Sequence, residues 1–255
     1  MVTDQVAFVT GAASGIGRQV ALRAGLEGYR LVAVDRDADG LAEAVRGFEA
    51  RGVTALAVVA DVSEPDALEA AAQQARAVHG RIDLVVAAAG IEVLGTVADL
   101  DAAAWRRSLD VTLSGTFFTA RATIASLIET RGSFVAISSD AGTTGAQGYA
   151  AYAAAKHGVV GLVRCMALDH GPAGVRSNVI CPGFVDTPMA RRLFDSSPEG
   201  TEEFYRDAIP LGRFATPDDV ADVVLHLASS RYANGVVYAL DGGSTAGYFV
   251  SGDAA

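Results

Sequence analysis

The chain has 255 residues, a formal net charge of −10 and 51% apolar residues. That length suits one large α/β domain, residues 1–255, and the acidic balance argues against nucleic acid or anionic membranes as partners. Two cysteines, Cys165 and Cys181, are too few for a disulfide framework, and they read as small core residues in a reducing cytoplasm.

No apolar run approaches the roughly 20 residues of a membrane helix. The start, Met1-Val2-Thr3-Asp4, has no basic n-region, so no secretory signal is expected. Neither the cysteines nor the four histidines show metal-ligand spacing, so no metal is expected. From there, apolar runs alternate with segments of helical period, the pattern of a parallel sheet wound on both faces. Strands are expected at Val6–Thr10, Leu31–Asp35, Ala55–Ala60, Leu84–Ala89, Ser133–Ser138, Val175–Cys181 and Val236–Asp241. Their unbroken apolar character suits burial on both faces. Helices are expected at Ile16–Glu27, Ala38–Ala50, Pro65–His79, Ala102–Thr130 (broken near Thr112), Tyr149–His170 and Asp218–Ser229. Residues 188–210, between two prolines, read as a mobile lid over a strand end. The tail after Gly243 carries Tyr248, Phe249 and Val250, too apolar for water; it packs either on a neighbouring subunit or over its own domain.

The first strand runs into Gly11-Ala12-Ala13-Ser14-Gly15-Ile16-Gly17 and then a helix. Gly11 permits a tight turn, Gly15 lets backbone approach a diphosphate, and Gly17 allows close helix–strand packing. The helix N-terminus supplies free N–H groups and the positive end of its dipole. Asp35 ends the second strand about 20 residues on, where a carboxylate accepts both adenosine ribose hydroxyls and repels a 2′-phosphate. This favours NAD. Arg36 pulls the other way, because it can pair with a phosphate.

The basic residues are nineteen arginines and a single lysine, Lys156. It follows Tyr152 by four positions, so phenol and ammonium share one helix face. With seven tyrosines and one lysine, chance gives roughly 0.03 such pairs. A phenol of pKa about 10 is a poor base, and a nearby cation lowers that value. Lysine's compact charge can also reach ribose hydroxyls. Ser139, at the end of the fifth strand, would hold the substrate oxygen.

With these motifs, the sequence resembles the short-chain dehydrogenase/reductase family from Thr10-Gly11 to Asp241-Gly242-Gly243. The resemblance implies a Rossmann-like sheet of about seven strands, usually in a homotetramer, and hydride transfer between a secondary alcohol and nicotinamide. It assigns Ser139, Tyr152 and Lys156 to catalysis. It places Ser14, Ile16, Asp61, Val62, Ala88, Gly90, Pro182, Gly183, Val185 and Thr187 against the cofactor. Val185 backbone and the Thr187 hydroxyl would meet the nicotinamide amide. Two departures stand out. The family's usual Asn-Asn-Ala-Gly reads Ala87-Ala88-Ala89-Gly90, and Thr112 replaces an asparagine that holds a relay water. The expectation is that Thr112 keeps the relay through its hydroxyl.

By family position, Glu92, Leu94, Ala141, Gln147, Tyr149, Phe184 and Met189 line the substrate pocket. Glu92 suits a hydroxylated substrate. Arg191 and Arg192 either recruit an anion or form a solvated lid face. Two rival readings are an NADP-dependent 3-ketoacyl-type reductase, through Arg36, and a non-catalytic NAD-binding regulatory module. Retention of Ser139, Tyr152 and Lys156 weighs against the second.

Overall fold

The computed structural model describes residues 4–249. Seven parallel strands form one sheet: β1 (Val6–Thr10), β2 (Arg30–Asp35), β3 (Ala55–Val59), β4 (Leu84–Ala87), β5 (Ser133–Ile137), β6 (Arg176–Pro182) and β7 (Val237–Leu240). Their order is β3-β2-β1-β4-β5-β6-β7. Chain direction across the sheet reverses between β1 and β4, and a crevice opens there beyond the strand ends. Nine α-helices occur among the described residues: α1 (Gly15–Leu26), α2 (Ala38–Glu49), α3 (Pro65–His79), α4 (Ala102–Leu109), α5 (Gly115–Thr130), α6 (Ala150–His170), α7 (Pro188–Asp195), α8 (Thr201–Asp207) and α9 (Pro217–Ser229).

Alternate residues of each central strand feed opposite cores. Val6 and Phe8 of β1 join Phe134 and Leu127 on one side, while Ala7 and Val9 join Phe48, Leu41 and Leu84 on the other. This is why the central strands read as unbroken apolar runs. The edges differ: Val59 of β3 is 60% exposed, and Tyr238 of β7 is also exposed. Burial on both faces therefore holds for the inner strands and fails at the rims.

Three expectations are corrected, two at strand ends and one in a helix. β4 stops at Ala87 rather than Ala89, because the chain leaves the sheet to pack on the Gly11 turn, where Thr10 Oγ1 accepts from Ala89 N at 3.5 Å. β5 stops at Ile137, so Ser139 caps a short 3-10 turn, Asp140–Gly142, instead of closing the strand. Ala102–Thr130 does not break at Thr112; a π-turn, Asp110–Ser114, carries the helix through. Such single π-turns gather at functional sites.

That continuous run is apolar and long enough to cross a membrane by composition alone, but half of its most apolar window is buried against the rest of the molecule. α5 packs on α3, β4 and β5 as a core helix. Residues 188–210, expected as a lid, hold two short helices, α7 and α8. The Thr187 hydroxyl caps the first by accepting from Ala190 N, and Pro188 follows at its first position. Cys181 is buried but Cys165 is exposed, which corrects the reading of both as core residues. In the tail, Tyr248 is fully exposed and Phe249 about half so; they do not cover their own domain. Val250 lies outside the described residues.

Arg176, at the start of β6, ties the sheet to α9. Its guanidinium donates to the carbonyls of Leu227, Ala228 and Ser230, each at 2.7 Å, supplying acceptor-seeking charge where the helix leaves carbonyls unpaired. Arg176→Met keeps the apolar stem and removes those donors. It is expected to cost about 2–3 kcal/mol in urea unfolding with an unchanged m-value.

Candidate active site

Two cavities meet at the C-terminal edge of the sheet. The first, of about 370 Å³, lies in the crevice between β1 and β4; the second, of about 440 Å³, lies under α7 and α8. They share Ile16, Thr187 and Met189, so a long ligand in the first presents its end to the second.

The first cavity collects most of the residues expected to meet a dinucleotide. Gly11, Ser14, Gly15, Ile16 and Gly17 form its floor, with Asp35 and Arg36 at one end, Asp61 and Val62 beside them, and Ala88, Gly90 and Thr187 opposite. The turn cannot carry side chains where it closes: a Cβ on Gly11 (φ +72°) would sit 2.8 Å from Ala89 N, and one on Gly17 would overlap the Gly11 carbonyl. Ser14 stands at the N-cap of α1 without a side-chain cap bond. Its hydroxyl and the first N–H groups of the helix are thus left for a ligand, which fits a diphosphate.

Asp35 is held in place by two backbone donors, Ala13 N and Asp37 N, both at 3.0 Å. Lone pairs remain for further donors. Arg36 instead turns toward Asp61, with Nη1 3.6 Å from Oδ2. Burial pushes the Asp61 carboxyl up, but donors from Ser63 and the charge of Arg36 outweigh it and hold the group below its usual range.

Pro182, Gly183 and Val185 line the second cavity rather than the first. Val185 is pinned by a bridge to Ala215, in which Ala215 N donates to Phe184 O and Asp186 N donates to Ala215 O. The same cavity holds Ser139, Tyr152 and six of the seven residues expected to line a substrate pocket, Glu92, Ala141, Gln147, Tyr149, Phe184 and Met189. Leu94 does not line it and is half exposed. The lid arginines part company: Arg191 pairs with Asp186 at 2.9 Å, while Arg192 lines the first cavity.

Tyr152 and Lys156 share the inner face of α6 as their spacing requires. Lys156 is buried, and its Nζ donates to Ile137 O at 2.9 Å. Ser138 Oγ donates back to Lys156 O at 2.9 Å, crossing the same gap between strand and helix. Burial pushes the Lys156 pKa down to about 8. The expected lowering of the tyrosine by its cation is not found. Burial raises the Tyr152 phenol, Glu92 and Asp140 raise it further, and the hydrogen bond with Ser139 only partly opposes them. Nζ lies 5.5 Å from the centre of the ring, and desolvation wins over that distance.

Thr112 is buried in the π-turn, where Oγ1 accepts from Ile91 N at 3.4 Å. A Cβ placed on Gly90 would lie 3.6 Å from Lys156 Nζ and 3.7 Å from Thr112 Oγ1, so both groups border the same small space. Neither faces the cavities directly.

Sequence reasoning missed three features. Asp140 lies in the second cavity, and Ser139 Oγ donates to it at 2.8 Å. Arg192 reaches the first cavity. Phe184 carries an aromatic cluster from both lid helices, 4.5 Å from Tyr205 and 5.6 Å from Phe194 and from Phe214. The aromatic richness of residues 194–214 was visible; its convergence on Phe184 was not.

A family model described as enoyl-(acyl carrier protein) reductase matches residues 11–245. Similar proteins include the BbsD subunit of (2S)-[(R)-hydroxy(phenyl)methyl]succinyl-CoA dehydrogenase from Thauera aromatica, 37% identical over 95% of this chain and 97% of that protein. Meso-2,3-butanediol dehydrogenase from Serratia marcescens is 36% identical over 95% of each chain. The structure of levodione reductase superposes with a TM-score of 0.92 at 34% identity, covering 97% of this chain and all of that one. The chain belongs to the short-chain dehydrogenase/reductase family. It is an oxidoreductase of CH–OH groups with a nicotinamide-cofactor fold.

The buried lysine gives the fold a signed pH dependence. Its pKa falls from 10.5 to about 8 on folding, so between those values the unfolded chain binds more protons and stability rises with pH. The full span is worth about 3 kcal/mol. Lys156→Met is expected to be the more stable protein at pH 7.5 in urea unfolding, with the gap to wild type closing toward pH 10. A gap constant across that range would contradict the desolvated ammonium.

Proposed function

We propose that this protein interconverts a secondary alcohol and a ketone with NAD(H), with Tyr152 as the general acid and base. The observation that carries the reading is that Ser139 and Tyr152 line the second cavity while buried Lys156 lies behind them on the same face of α6, its Nζ 5.5 Å from the Tyr152 ring centre. When bound, the nicotinamide supplies the hydride acceptor or donor. In the oxidative direction Tyr152 takes the hydroxyl proton, and Ser139 holds the oxygen as its charge changes. Lys156 supplies positive charge to ribose and phenol. Thr112, bordering the lysine's space, links it to water. α7 and α8 act as a lid that the Phe184 cluster holds down over the substrate.

Asp35, fixed by two backbone donors and facing the first cavity, supports NAD over NADP. The NADP-dependent alternative rests on Arg36, which lines the same cavity and makes only a long ion pair, 3.6 Å, with Asp61. Fluorescence titration separates them. NADH is expected to bind at least tenfold more tightly than NADPH, the worth of about 1.4 kcal/mol of lost ribose bonds and added repulsion. Tighter NADPH binding would reverse the assignment.

The substrate class follows from charge and donors. Glu92 and Asp140 line the second cavity, which has no lysine or arginine among its described lining residues. An anionic substrate is disfavoured there. Glu92 is bonded to Tyr149, whose ring lies 5.9 Å from that of Tyr152. Tyr149 spends its proton on Glu92, so the pair offers acceptors to a second hydroxyl near the reacting carbon. Relatives that include a butanediol dehydrogenase and a D-threitol dehydrogenase from Mycolicibacterium smegmatis support a diol. A homotetramer in the cytoplasm completes the reading, and exposed Trp105 and Phe117 offer apolar surface for assembly.

A panel of 2-butanol, cyclohexanol, 2,3-butanediol and 1,2-cyclohexanediol, followed by NADH absorbance, tests this. The diols are expected to exceed their monohydric partners by about tenfold in kcat/KM. Glu92→Gln is expected to erase most of that preference while retaining turnover of the simple alcohols. Equal use of diols and mono-ols by wild type would remove the hydroxyl subsite.

A further inference from the structure

Ser139 has one proton to give. Its Oγ donates to Asp140 Oδ1 at 2.8 Å and accepts from Ala141 N at 3.2 Å, while the Tyr152 hydroxyl bonds to the same oxygen. Asp140 Oδ1 also accepts from Ala141 N at 2.7 Å, which fixes the carboxylate beside the serine. The serine proton is therefore spent on Asp140. A ketone oxygen has lone pairs only and needs donors. An alcohol brings its own proton and needs an acceptor. With Asp140 ionised, Ser139 is arranged to receive an alcohol and poorly arranged to receive a ketone.

We propose that Asp140 is a positioning residue that turns the Ser139 hydroxyl away from the reacting oxygen, so that tight ketone binding requires a proton on Asp140. The inference rests on the reading of the site as an alcohol–ketone oxidoreductase.

The surroundings favour a proton there. Asp241, on the loop after β7, faces Asp140 and is itself held ionised by Gly243 N, Thr245 N and the Thr245 hydroxyl. From β6 the neighbouring titratable group is the Cys181 thiol, and from α6 it is the Tyr152 phenol. The Thr143 and Thr144 hydroxyls donate to the Asp140 backbone carbonyl and leave the carboxylate alone. No cation acts directly on Asp140 in this set. Burial raises its pKa first, Asp241 adds to that, and the donors from Ser139 and Ala141 oppose it. Protonated Asp140 donates to Ser139 Oγ, and the serine proton is released toward the ketone.

The test is the pH dependence of the ketone KM at saturating NADH, using the ketone of the alcohol that the panel above finds fastest. In wild type that KM is expected to rise with pH as Asp140 ionises, above the usual carboxylate range because burial raises the group, by about fivefold in all, the worth of one hydrogen bond, while the alcohol KM does not rise. Asp140→Asn supplies an amide donor to Ser139 without titrating. Its ketone KM is expected to be flat with pH and about fivefold below wild type on the alkaline side of that rise, with kcat changed less. A purely structural role would move stability and kcat together and leave the pH profile in place. Absence of turnover with every alcohol in the panel overturns the dehydrogenase reading itself. A wild-type enzyme that turns over but has a pH-independent ketone KM overturns the role of Asp140, and so does an Asp140→Asn profile that tracks wild type. The wild-type profile decides the matter alone if the variant does not fold.

Discussion

The site depends on a pair of hydrogen bonds that cross between β5 and α6. Lys156 donates a hydrogen bond to the last carbonyl of the strand, and Ser138 donates one to the carbonyl of Lys156. Each is ordinary alone. Together they fix the height and rotation of the helix against the strand end, so that Tyr152, one turn earlier, faces Ser139. The lysine accepts desolvation to do this, and its depressed pKa is the sign of that cost. A ligand that brings negative charge nearby favours the ammonium, which couples cofactor affinity to the protonation of a group that also organises the helix.

Much of this was legible in the sequence because it depends on local spacing. The glycine turn, the acidic end of β2 and the four-residue step from Tyr152 to Lys156 each follow from the geometry of one element. The parallel sheet and the family resemblance followed from their sum. Asp140 escaped because its meaning lies in which way a neighbouring hydroxyl points, and adjacency in sequence does not give that direction. Arg192 escaped because reading residues 188–210 as a mobile lid does not say which way its side chains point. Once Thr187 caps α7, Arg191 and Arg192 project differently, one onto Asp186 and the other into the first cavity.

The departures from the family's usual amides also acquire a physical account. Where asparagines commonly brace the chain after β4, alanines pack against the Gly11 turn and Thr10 receives the Ala89 amide. The site therefore relies on close backbone contact in place of side-chain bonding. Thr112 gains its position from the π-turn. The extra residue in that turn shifts the helix register so that a short hydroxyl side chain borders Gly90 and Lys156. Position compensates for reach.

The solitary lysine has a consequence for the outside of the molecule. Every other basic side chain is a guanidinium, which keeps its charge at any pH a protein survives. The described surface thus presents no lysine side chain to acylating agents, reducing sugars or aldehydes, because the one lysine in the sequence is buried beneath α6. Modification of a lysine side chain in this protein records that α6 has lifted from the sheet. The residue that joins helix to strand is also a built-in reporter of that junction's integrity.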